Sequence, residues 1–252
     1  MAITLDSMTR IAMMNQNSGF SAATGASRAT DAFALATKRV EQKLDATNVQ
    51  LSAFGQINSG FANVQSASKD LSDPKKTGTA TDVEKAVQAF AAAYNNAANA
   101  VSTAINGTGK EGGALANDIH ARFAANDLKN IVANDGNTAD LKKIGISVNK
   151  DGTMSVDTKA LQSAMQANPN AVKDTLSRIG QQAEQISTKD MAKTGSVGRA
   201  VNTLSSRAKD LEAQAAEQQR LASASQMAVQ QQSARFGNAS DSIAAYLQMF
   251  SL

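Results

Sequence analysis

The feature that most limits the fold of this chain is a spacing. Val197, Val201, Leu204, Ala208, Leu211, Ala215, Gln218, Ala222, Ser225, Val229, Gln232, Phe236, Ala239, Ile243, Tyr246 and Phe250 follow one another in alternating steps of four and three. Such a repeat is a helical heptad seam. At about 1.5 Å per residue the helix would be on the order of 80 Å long, and neither proline nor glycine interrupts it between Arg199 and Phe236. A rod of that length cannot bury its own stripe, so it requires another helix along it.

The chain offers one partner. Residues 31–71 place Val40, Leu44, Thr47, Leu51, Phe54, Asn58, Phe61, Gln65 and Ser68 on the same alternation, widened by Ile57, Val64 and Leu71. Gly55 and Gly60 weaken this helix by about 1 kcal/mol each relative to alanine, so packing must hold it. The expected fold is mainly α: a long antiparallel coiled-coil leg, 31–71 against 196–252, with residues 81–195 as a small helical knob carrying one β-hairpin. Gln218, Ser225 and Gln232 form a polar belt in the seam. It either selects the register or marks a loose, partly solvated coil.

Within the knob, "SDPKKTGTA" at 72–80 breaks the first helix. Thr81 and Glu84 read as a capping box ahead of Val83, Val87, Phe90, Tyr94, Val101 and Ile105. A third helix is expected over 114–133, with Leu115, Ile119, Phe123, Ile131 and Val132 as its stripe and Asp135-Gly136 as its stop. Residues 144–156 raise a choice between a calcium loop and a hairpin. With Gly152 as sixth loop position, Thr158 stands where the closing bidentate carboxylate belongs, and Ile144, Ile146, Val148, Met154 and Val156 alternate as strands do. The hairpin reading follows, with Asp157 capping the next helix. "NPN" at 168–170 breaks the chain again, and shorter helices run to Gly195.

Little in the sequence points to chemistry. There is no cysteine, so thiolate metal sites, redox pairs and disulfides are excluded. His120 is the only histidine, without a serine elbow, and reads as a solvent-facing or capping residue. "GTGKEGG" lacks the Lys-Ser/Thr ending of a phosphate loop, and Glu212 and Glu217 are solvated charges on a heptad surface. The 25 basic residues against 22 acidic ones form no stripe interleaved with aromatics, so nucleic acid is not an expected partner. "IAMM" is too short to span a bilayer or serve as a Sec signal core. Residues 1–30 read as a flexible segment in the isolated chain. No enzyme activity, cofactor or metal is expected.

Several motifs, in order, resemble the flagellar hook-associated protein 2 family, the filament cap proteins of bacterial flagella. They are Phe90 with Tyr94-Asn95; Gly113, Leu115 and Asp118; Ile144-Gly145-Ile146 followed by Asp151 to Asp157, Leu161 and Pro169 to Val172. Residues 51–71 are similar to the family's opening leg, and Phe236, Ile243 and Tyr246-Leu247 to its closing one. The similarity runs from about residue 40 onward. Where family members usually carry globular head domains, this chain has only residues 72–80.

The resemblance implies a self-assembling structural protein, exported through the flagellar type III channel by residues 1–30 and placed outside the cell at the distal filament tip. A ring of copies would there guide flagellin into the filament. Implied partners are other copies of the chain, flagellin, the hook–filament junction proteins and a cytoplasmic export chaperone. A junction or flagellin-like filament subunit and a secreted adhesin are the alternatives. Leu44, Leu51, Phe54, Phe61, Leu211, Phe236, Ile243, Tyr246, Leu247 and Phe250 are the expected coil and assembly contacts.

Overall fold

A computed structural model describes the backbone of residues 5–109, 112–133 and 137–249; side chains are described, within those ranges, from residue 32 to 231 and at Ala234. The order is α1 (Leu5–Ser72), α2 (Ala80–Asn106), α3 (Ile119–Ala133), α4 (Asn137–Lys143), β1 (Ile146–Val148), β2 (Met154–Val156), α5 (Thr158–Ala167), α6 (Pro169–Met191) and α7 (Ser196–Met249). The protein is therefore mainly helical, with long packed helices and one small antiparallel sheet. Two compact units divide it: Met1–Asp45 with Ala208–Leu252, and Ala46–Arg207.

The central unit, 46–207, holds one continuous apolar core. Phe54, Ile57, Phe61, Val64 and Leu71 of α1 join Val83, Val87, Phe90, Tyr94 and Val101 of α2, with Leu128 and Ile131 of α3, Leu176 and Ile179 of α6, and Val197, Ala200 and Leu204 of α7. Small residues set the closest approaches. A Cβ on Gly60 would lie 2.9 Å from Ala97 Cα, so α1 and α2 touch nearly backbone to backbone there. Across the core, Gly180 of α6 sits against Ser68 and Ser72 of α1, and Ser72 Oγ donates to Ser177 O at 3.2 Å.

The hairpin is present where the alternation places it. Ile146 pairs with Val156 and Val148 with Met154, so Ile146 and Met154 face the core while Ser147 and Ser155 face water. Its tip turns through Gly152 at φ 84°, and Asp151 Oδ1 accepts from both Thr153 N at 2.9 Å and Thr153 Oγ1 at 2.6 Å. These hydrogen bonds hold the Asp151 carboxyl below the usual carboxylate range. That carboxylate ties the turn together rather than standing open as a ligand. Asp157 Oδ1 accepts from Ala160 N at 3.0 Å and starts α5, as its position suggests.

Three local expectations are corrected. The capping box of α2 is Thr79 with Asp82, not Thr81 with Glu84. Both pairs have the required spacing, and the turn after Pro74, closed by Thr77 N donating to Asp73 O at 3.1 Å, sets which one meets the free N–H groups. The third helix starts at Ile119 rather than 114, because Asp118 Oδ1 accepts from His120 N and Ala121 N. Its buried face is Ala121, Ala124, Leu128, Ile131 and Val132, which leaves Ile119 59% and Phe123 48% exposed. Asp135-Gly136 lie outside the described residues. The first helix, α1, is helical from Leu5, and the alanines and methionines of its first part are good helix formers.

The terminal unit combines the first part of α1 with the last part of α7. The heptad register is visible in its burial. Val40 and Leu211 are buried, while Leu44, Ala215, Gln218, Ala222, Ser225 and Val229 are half-buried and their neighbours are exposed.

Candidate assembly surface

The seam residues have two different fates. In the central unit they are core: Phe54 and Phe61 are fully buried and Leu51 packs against the same cluster. Along the described part of the terminal unit the seam is only half-buried at Leu44 and from Ala215 to Val229, with Leu211 7% exposed. Phe236, Ile243, Tyr246 and Leu247 lie on α7, but their side chains are outside the described residues, as is Phe250 altogether.

Between α1 and α7 the terminal unit forms a cleft of about 820 Å³ lined by Ala34, Thr37, Lys38 and Glu41 facing Gln219, Ala222, Ser223 and Gln226. Each set has i, i+3, i+4, i+7 spacing, so each helix offers one narrow face. The side chains are small or polar, which keeps the walls from meeting. In the adjoining seam Gln218 Oε1 is buried without a hydrogen-bond partner and Ser225 is half-buried, while the side chain of Gln232 lies outside the described residues. A seam whose positions from Ala215 to Val229 are only half-buried, and whose Gln218 amide oxygen is unpaired, fits the loose coil better than a register-selecting one. Outside the seam, Leu35, Leu221 and Met227 are 59%, 44% and 58% exposed. The expectation built on the seam alone missed these three, because they are off its 4-3 positions. In the central unit Val49, Ile119 and Phe123 are exposed as well.

Such surfaces bind by apolar contact and side-chain amide hydrogen bonds. Groups that do covalent chemistry are not gathered anywhere in the described residues: no cluster of three or more metal-ligating side chains occurs, and His120 is half-buried with its backbone N–H donating to Asp118 Oδ1 at 2.8 Å. No described helix is long and apolar enough to cross a membrane.

The motif residues between Phe90 and Val172 have folding roles in the central unit. Phe90 and Tyr94 are core residues, and burial pushes the Tyr94 phenol up to about 12. Asn95 clamps the hairpin, its Nδ2 donating to Met154 O at 2.8 Å and its Oδ1 accepting from Met154 N at 2.6 Å. Gly113 lets the chain pass the end of α2, where a Cβ would lie 2.2 Å from Ala104 O; Leu115 is buried and Asp118 caps α3. Gly145, at φ 81°, accepts from Asp157 N at 2.7 Å through its carbonyl. Asn168 caps α6 in front of Pro169, and Val172 is buried.

The family model described as the flagellar hook-associated protein 2 C-terminus matches residues 64–248, more than half of the chain. No curated protein sequence matches it.

Proposed function

The chain belongs to the flagellar hook-associated protein 2 family, and from that premise we propose that it caps the distal end of the flagellar filament and promotes flagellin polymerisation. The family is structural rather than enzymatic, its setting is flagellar and extracellular, and its role is cap-related. The finer reading rests on one observation of this chain. Its terminal unit pairs two helices over a seam that stays half-solvated and carries exposed Leu35, Leu221 and Met227. Two helices alone bury too little apolar surface to be stable in isolation, so such a unit is completed by further helices.

In this proposal those helices come from other copies of the chain and from flagellin or junction proteins, giving a ring-like homo-oligomer. An export chaperone would cover the same faces before secretion. Between α1 and α2 only residues 73–79 intervene, so the ring would be built from the helical units without an inserted head. The experiment is light scattering and negative-stain imaging of the purified protein, together with filament growth in a deletion strain. A discrete ring and a mutant that sheds unpolymerised flagellin are the expected results. Open-ended polymers would instead make it a filament or junction subunit, and normal swimming would point to an adhesin.

A further inference from the structure

The joint between α6 and α7 buries a carboxyl group that nothing neutralises. Asp190 is 1% exposed, and its Oδ1 accepts the Ser196 N–H at 3.1 Å, tying the first turn of α7 to the last turn of α6. Its Oδ2 has no hydrogen-bond partner, nor has the hydroxyl of fully buried Ser187, one helical turn back on α6. The charge that reaches Asp190 from α3 is another carboxylate, Asp127. Of the cations adjoining the joint in sequence, Arg199 of α7 donates to Thr194 O at 3.0 Å, and Lys189 and Lys193 are exposed to water.

The backbone around this group is tightly fitted. A Cβ on Gly195 would lie 2.0 Å from Lys189 O, and one on Gly198 would lie 2.1 Å from Ala192 O. Val197 is fully buried just behind them. Asp190 therefore cannot reach water while residues 190–198 keep this packing.

We propose that Asp190 is a proton-operated latch: protonated, it anchors the start of α7 to the end of α6, and on ionisation it turns toward water and the 190–198 joint opens. A proton on Oδ2 removes the uncompensated buried charge and leaves Oδ1 free to keep accepting the Ser196 N–H. The balance of forces agrees. Burial first and then Asp127 push the Asp190 carboxyl up, outweighing the Ser196 and Val197 hydrogen bonds that pull it down. A carboxyl raised on folding contributes stability that is complete below its unfolded value and is lost as pH rises through its folded one. The latch thus tightens in acid. This inference stands apart from the capping role.

The test is amide hydrogen exchange over residues 190–200 from about pH 4 to about pH 8, corrected for intrinsic exchange, in the full chain and in Asp190→Asn and Asp127→Asn. In the parent the opening constant should rise by up to about tenfold per pH unit and then level off above the folded value. Asp190→Asn, which keeps the Oδ1 acceptor, should give a flat profile. Asp127→Asn should level off at lower pH, because the like charge is gone. A flat parent profile, or the same slope in Asp190→Asn, overturns the proposal. Should Asp190→Asn fail to fold, an unshifted profile in Asp127→Asn overturns it equally.

Discussion

Asn95 offers the sharpest test of how the central unit is held. Its side chain bonds both backbone groups of Met154, 59 residues away, and Met154 is 3% exposed. It acts as a one-residue strand on the free edge of β2. Asn95→Ala strands a buried N–H and a buried C=O, each costing about 1–3 kcal/mol when left unsatisfied. Because Asn95 is itself half-buried, water partly replaces it, and a loss of about 2–4 kcal/mol is expected. Asn95→Asp separates the two bonds. At neutral pH the new carboxylate still accepts from Met154 N but faces Met154 O without a donor, so the cost should be similar. In acid the protonated carboxyl donates to Met154 O and accepts from Met154 N, and stability should return to within about 1 kcal/mol of the parent. The sign follows from linkage: Met154 O and burial raise this carboxyl in the folded state, so its contribution is present below about pH 3.9 and lost as pH rises through the folded value. Urea unfolding followed by circular dichroism at about pH 7 and about pH 4 measures it. An Asn95→Ala deficit within about 0.5 kcal/mol of the parent, or an Asn95→Asp deficit equal at both pH values, would refute the clamp.

Other outcomes follow from the same contacts. Phe61→Ala empties a fully buried site and should cost about 3–5 kcal/mol in the same assay. Gly60→Ala should destabilise by about 1–3 kcal/mol despite better helix propensity, since its Cβ would meet Ala97, and Ala97→Gly should recover part of the loss. Leu221→Asp with Met227→Asp, both on exposed positions, should shift stability by no more than about 0.5 kcal/mol yet reduce particle mass in light scattering; unchanged particles would remove these residues from the assembly surface. Phe236→Asp with Tyr246→Asp should abolish rings while residues 46–207 keep their unfolding transition, and normal rings would refute a role for the distal seam.

Most of the helical layout was legible because heptad steps, caps and turn residues act over a few positions. The 4-3 register of α7 reappears in its burial from Val197 to Val229, and the hairpin's alternation sets which strand residues face the core. Choices between equivalent local signals were not legible. Thr79 and Thr81 both begin a capping pattern, and only the turn after Pro74 selects Thr79. Nor did periodicity reveal that Ile119 and Phe123 lie off the buried face of α3, where alanines make the contacts.

The resemblance motifs between Phe90 and Val172 are instructions for folding the central unit: a clamp at Asn95, a close passage at Gly113, a turn at Asp151, caps at Asp118 and Asp157. Local sequence determined them because each needs a particular side chain, or the lack of one, at a single backbone position. Tertiary structure alone decided which seam residues became core and which stayed half in water. The same stripe is sealed around Phe54 and Phe61, where several helices converge, and left solvated beside Ala222 and Ser225, where the described residues supply two. Burial depends on how many neighbours surround a residue, and a repeat along one helix carries no record of that number.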